Sequence, residues 1–183
     1  MIGIAELLPR AEGDVVVRRL MHRDAELYAS GTKDAAVRRY GHLPLDDYTP
    51  EIVSAQIDGV NMAGLQSNSP AILAIADATS DEFLGSIAVF DFRDDRAEVG
   101  FWLARWARGR GAAQKALGAV AQIAAESGLS RLEARTAPDN GRSRRALEGA
   151  GFIRVGQPHQ AVTPTGETLT VLAYERFLYQ RAY

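Results

Sequence analysis

The sequence predicts a mixed α/β sheet domain with one local parallel crossover, and three observations carry that prediction. Strand-like apolar runs follow one another between residues 71 and 103 with only short turns between them, the pattern of antiparallel neighbours. One long stretch of helical periodicity, Gly111–Ser127, then leads into a further strand-like run, Arg131–Thr136, which is the order of a crossover between parallel strands. The 183-residue length suits one domain, residues 1–183, and the 46% hydrophobic and 24% charged content is ordinary globular usage, against disorder and fibrous repeats.

Taken along the chain, Val15–Leu20 is β-branched and reads as a strand after a short leader. Asp24 precedes AELYAS as an N-cap, and Lys33–Tyr40 adds a second turn or two of helix. Thr49-Pro50-Glu51 sets an N-cap before a proline at the first helical position. The helix started there runs to about Leu65, with Ile52, Val53, Ile57, Val60 and Leu65 as its apolar stripe. Ala71–Ala76 and Phe83–Phe92, separated by TSDE, form an antiparallel hairpin, and Glu98–Leu103 follows the Asp94-Asp95-Arg96 turn as a third strand. Gly128 sits where a left-handed C-terminal cap closes the long helix. Ser143–Ala150 reads as a short helix, and Phe152–Val155 and Leu169–Leu178 as the last strands.

Composition removes several function classes. Without cysteine there is no disulfide, thiolate zinc site or cysteine nucleophile, and His22, His42 and His159 lack metal-ligand spacing, so no metal is expected. The formal net charge of −2 does not ask for nucleic acid or an anionic membrane as partner. No apolar run approaches the roughly 20 residues of a membrane span, and the N-terminal residues lack a basic start and long apolar core, so the chain reads as soluble and cytoplasmic.

The most informative stretch is EVGFWLARWARGRGAA, residues 98–113, where a strand passes through a glycine-containing turn into the long helix. Glycines let backbone amides converge, and the free N–H groups and dipole of a helix start favour an anion. Arg105, Arg108, Arg110 and Lys115 add positive charge, so the residues point to a phosphate-bearing ligand or, more simply, to a glycine-relieved turn with solvated arginines. The loop is neither a Walker loop, since no Gly-Lys-Ser/Thr follows, nor a dinucleotide fingerprint, since position 114 is Gln114.

Arg108-x-x-Gly111-x-Ala113 resembles the acyl-CoA loop, Gln/Arg-x-x-Gly-x-Gly/Ala, of the GCN5-related N-acetyltransferases (GNAT). Asn140-Gly-Arg-Ser143-x-x-x-Leu147-Glu148-x-x-Gly151-Phe152 resembles their second motif, and AEVGFWL ahead of the loop is most similar to the RimJ/RimL branch, which acetylates protein N-termini and other small amines. The close match covers about residues 97–155. The resemblance implies a mixed, mostly antiparallel twisted sheet of about six to seven strands with about four helices and splayed central strands. It also implies acetyl-CoA as co-substrate, with Phe101, Trp102 and Leu103 along the pantetheine arm and Arg108, Gly109, Arg110, Gly111, Ala112 and Ala113 around the pyrophosphate. Asn140 and Ser143 would contact the arm or the sulfur end, with Arg142, Arg144 and Arg145 near the CoA phosphates or simply solvated. Gly100 fits the family's splaying bulge or marks close packing. A homodimer is compatible with this branch.

Acetyl transfer needs a neutral amine, although most alkyl amines are protonated near neutral pH, so a carboxylate must take the proton. Glu98 matches the strand position of the general base in related enzymes. The general acid is open between Ser143 and Tyr174, because Glu148 stands where many members carry a tyrosine, and Glu148 is expected to pair with an arginine. Trp102 and Trp106 line the acceptor pocket or floor the sheet, and Tyr40 and His42 lie in the segment that walls the acceptor site in this fold. The expected function is therefore transfer of acetyl from acetyl-CoA to a primary amine, of a protein N-terminus or a small molecule, in a ternary complex. The alternatives are a non-catalytic acyl-CoA-binding or sensing domain and, least favoured by charge, a nucleotide- or nucleic-acid-binding module.

Overall fold

The computed structural model describes residues 3–67, 70–163 and 166–178; the remaining positions of the predicted 1–183 domain lie outside the described residues. Eight strands form one sheet in the order β1-β2-β3-β4-β5-β6-β8-β7. They are β1 (Arg10–Glu12), β2 (Val15–Arg19), β3 (Ala71–Asp77), β4 (Phe83–Arg93), β5 (Arg96–Leu103), β6 (Arg131–Thr136), β7 (Ile153–Val162) and β8 (Thr168–Phe177). The sheet is therefore slightly larger than the resemblance implied. Strand β1 was missed because Arg-Ala-Glu carries no apolar alternation; its signal is Gly13-Asp14, a two-residue hairpin loop with Gly13 at φ +61° and Glu12 paired with Val15. Strand β7 outruns its prediction because a register shift between Val155 and His159 absorbs the strand-breaking Gly156 and Pro158.

The helices are α1 (Ala25–Thr32), α2 (Ala35–Tyr40), α3 (Pro50–Gln56), α4 (Met62–Ser67), α5 (Ala112–Glu126) and α6 (Gly141–Gly149). Thr49 caps α3 as predicted, its hydroxyl accepting the Ile52 N–H. Asp24 does not cap α1. Its carboxylate is buried, accepts the Met21 N–H and pairs with Arg18 at 2.7 and 2.9 Å. A π turn, Ile57–Asn61, joins α3 to α4 and rotates the predicted stripe. Val53 and Leu65 are buried as expected, but Ile52 is half exposed, Val60 is 64% exposed and polar Asn61 is buried in their place.

Two cores sit on opposite faces of the sheet. Helices α5 and α6 cover Ala97, Val99, Leu132, Ala134, Leu172 and Tyr174. Helices α1–α3 cover Ala74, Phe83 and Trp102, with Trp102 edge-on to Tyr28 at 5.0 Å between ring centroids. Alternation along β5 thus aims Ala97 and Val99 at α5, and Glu98, Gly100 and Trp102 at the α1 side.

Candidate active site

Strand β5 is the hinge of the site. It pairs with β4 along its whole length, from Arg96 to Leu103, but with β6 only through Arg96–Arg131, Ala97–Leu132 and Glu98–Glu133. Among the described residues these are the one parallel ladder, bridged by α5 as the sequence predicted. Beyond Glu98 the strands part, and β6 continues against β8 alone. The predicted splay is present, but Gly100 is not its bulge. Gly100 pairs in regular register with Ala88, and a Cβ there would meet the Phe90 ring at 3.3 Å, so glycine makes room for an aromatic neighbour. The bulge lies further along, between Phe90 and Arg93.

The gap opens onto a cleft of about 1340 Å³, above the roughly 300–1,000 Å³ usual for one small ligand. One end is the N-terminus of α5. Gly109 and Gly111 stand at φ +82° and +73°, and a Cβ on either would meet nothing within 4 Å, so backbone conformation rather than space selects glycine. No side chain caps α5 at Gly111. The first-turn N–H groups, which include those of buried Ala112 and Ala113, have no i−4 carbonyl and leave the positive end of a 15-residue helix at the cleft.

Of the cations expected to serve this loop, two are spoken for. The Arg108 guanidinium donates to the Leu103 carbonyl at 2.9 and 3.2 Å and to Asp34 at 2.6 Å, fastening the turn to β5 and to α2. Arg108 holds the Asp34 carboxyl below its ordinary range, and the Val37 and Ala36 N–H groups that Asp34 caps act in the same direction. Lys115 pairs with Asp14 at 2.6 Å. Arg110 is exposed and does not line the cleft. Arg142 and Arg145, on the first turns of α6, do line it and have no ion-pair partner among the described residues.

At the junction of the gap lies Glu98, 7% exposed, its Oε1 accepting from Arg135 Nε at 2.9 Å. The pair holds the Arg135 guanidinium above its usual value. Asn140 caps α6 by accepting the Ser143 N–H at 3.2 Å. Ser143 lines the cleft, and its hydroxyl has no protein partner among the described residues. Phe101, Trp102 and Leu103 line the cleft along the stretch of β5 that is paired with β4 but not with β6. Tyr40 and His42 wall the opposite side, where the Tyr40 hydroxyl and Arg39 both donate to Asp139, at 3.2 and 2.6 Å.

Three expectations change. Tyr174 is 1% exposed, faces the α6 side and donates its hydroxyl to Glu148 at 3.0 Å, outside the cleft lining. Glu148 accordingly holds a tyrosine rather than an arginine. Trp106 lies outside the cleft, its indole N–H donating to the Phe83 carbonyl at 3.4 Å. Sequence reasoning passed over Arg135 and Asp139, whose partners are distant in the chain, and Asp34, which an N-cap reading of Asp-Ala-Ala-Val would have flagged.

The acetyltransferase (GNAT) domain family matches residues 14–153, and the chain belongs to that family. No curated protein matches the sequence. Among solved structures it is similar to the ribosomal-protein-S5-alanine acetyltransferase of Vibrio fischeri, at 16% identity and TM-score 0.78, covering 96% of this chain and 100% of that one. It also resembles the microcin C7 self-immunity acetyltransferase MccE, solved with acetyl-CoA and AMP, at 20% identity and TM-score 0.76, covering 91% and 93%. Mycobacterium smegmatis RimJ, solved with CoA-disulfide, matches at 20% identity and TM-score 0.73, covering 89% and 81%.

Proposed function

We propose that this chain is a single-domain N-acetyltransferase of the RimJ/RimL kind, moving acetyl from acetyl-CoA to a primary amine within a ternary complex. The observation that carries the reading is the uncapped N-terminus of α5, with left-handed Gly111, opening into the same cleft as the gap between β5 and β6. The residues fit an acyl-CoA: backbone N–H groups of Gly109–Ala113 for the pyrophosphate, Arg142 and Arg145 for charge, and the unpaired Phe101–Leu103 edge for the pantetheine arm. Bound so, acetyl-CoA supplies the thioester carbon, to which the amine nitrogen bonds as the C–S bond breaks.

The chain's own residues do the rest. Glu98, at the mouth of the gap on the α1 side, accepts the ammonium proton directly or through water. A main-chain N–H of Phe101–Leu103 stabilises the charge gathering on the carbonyl oxygen. Ser143, whose hydroxyl has no partner among the described residues, hydrogen-bonds the departing sulfur and relays to it the proton that the amide nitrogen sheds as the intermediate collapses. Acetyl-CoA incubated with a panel of amines and N-terminal peptides tests the reading: amine-dependent thiol release supports it, and tight CoA binding with no release refutes it. That second outcome is the signature of an acyl-CoA sensor, a reading favoured by one observation, the engagement of Tyr174 by Glu148 away from the cleft.

A further inference from the structure

The cleft continues past Glu98 to the α1–α4 side, and there its chemistry changes. Its wall is made by Tyr28, Leu43, Tyr48, Val60, Ile72 and Phe90. Val60 belongs to this wall because the π turn swings it off the core stripe, leaving a branched apolar side chain 64% exposed. Leu45, also in the lining, is 41% exposed. His42, at the turn between α2 and this wall, holds a left-handed backbone at φ +44° although it is not glycine. Among the described residues, only two carboxylates line the entire cleft, Glu98 and Asp139. Asp139 is held by Arg39 and Tyr40, and Glu98 is met by Arg135. The unpaired cations, Arg142 and Arg145, lie at the opposite, α6 end.

We infer that the acceptor is a monoamine carried on a bulky apolar body, with its one ammonium delivered to Glu98 and its body seated against Tyr28, Tyr48, Val60 and Phe90. The inference rests on the acetyl-transfer reading for the amine, and on the wall itself for the body. A polycation would need an array of carboxylates to replace its lost hydration, and among the described residues the cleft offers two, Glu98 and Asp139, each of which already has a partner. An apolar body of the same size gains by leaving water. The amine of a small aryl-alkyl or branched molecule and the N-terminus of a peptide beginning with Phe or Leu present the same chemistry.

Calorimetric titration of the CoA-loaded protein with phenethylamine, Phe- and Leu-initiated peptides, a Ser-initiated peptide and spermidine tests the inference without requiring turnover, and thiol release from acetyl-CoA is read in parallel. The apolar amines are expected to bind at least about tenfold tighter than spermidine and the Ser-initiated peptide, a ratio within reach of a hydrophobic pocket. Phenethylamine outranking the peptides assigns a small-molecule source, and the reverse order a protein N-terminus. Val60→Asp and Leu45→Asp, both at exposed positions, are expected to reverse the ranking toward spermidine while CoA affinity stays unchanged. Spermidine binding as tightly as phenethylamine, or no amine binding at all, overturns the inference. Selective binding of apolar amines with no thiol release upholds the wall's chemistry and refutes acetyl transfer instead.

Discussion

At the residue scale, Asp34 joins two tasks that one pair of substitutions separates. Its carboxylate caps α2 and holds Arg108 against the turn that precedes α5. Asparagine caps nearly as well but carries no charge, so Asp34→Asn is expected to cost about 1 kcal/mol and Asp34→Ala about 2 kcal/mol, measured by urea unfolding. Because Arg108 lowers this carboxyl's pKa, its contribution to stability is complete above the ordinary carboxylate range and is lost as pH falls through the lowered value. The difference between wild type and Asp34→Asn is therefore expected to be flat above about pH 5 and to shrink below about pH 4. Glu98→Gln is the second residue-scale prediction. It is expected to lower kcat by about 10²-fold or more near neutral pH, with the deficit closing as pH approaches the acceptor amine's own pKa and CoA affinity unchanged. Equal pH–rate profiles for the two proteins would remove Glu98 from the chemistry.

At the scale of elements, the N-terminus of α5 decides whether an acyl-CoA is held. At Gly111 an added Cβ has open space, but any L side chain is strained there because φ is +73°. Gly111→Ala is expected to cost about 1 kcal/mol in stability through backbone strain and to keep measurable CoA binding. Gly111→Glu carries the same strain and sets a negative charge where a phosphate approaches, so CoA binding is expected to vanish in calorimetric titration. Equal CoA affinities for the two variants would place the phosphates elsewhere. The helix itself was legible because Ala116, Leu117, Val120 and Ile123 keep one face buried without interruption. The α3–α4 helix was misread for the opposite reason: a π turn adds a residue to one turn, so a 3.6-residue stripe projected through it lands on solvent-facing Val60.

For the molecule as a whole, the two cores share one sheet, with Trp102 in the α1-side core and Val99 in the α5-side core only three positions apart on β5. Unfolding is expected to be one transition, with tryptophan fluorescence and far-ultraviolet circular dichroism coincident; two separated transitions would mean that the faces melt independently. Acetyl-CoA at about 100 times its dissociation constant is expected to add about 2.7 kcal/mol to that stability, and Gly111→Glu to abolish the gain.

The sequence by itself determined the order of the strands from β2 onward, the parallel crossover through α5 and the glycine loop at its start, because each rests on local periodicity, glycine dihedrals or helix-end signals that neighbouring residues specify. Which charges are free was decided only by tertiary structure. Arg108 and Lys115 read as ligand cations, yet each found a carboxylate, Asp34 and Asp14, more than 70 residues away in the chain, as did Arg135 in Glu98, 37 residues away. Tyr174 and Glu148 engage each other across 26 residues in the same way. Such pairings depend on where strands part and which face a side chain takes, and spacing along the chain does not encode either when the partners lie on different elements.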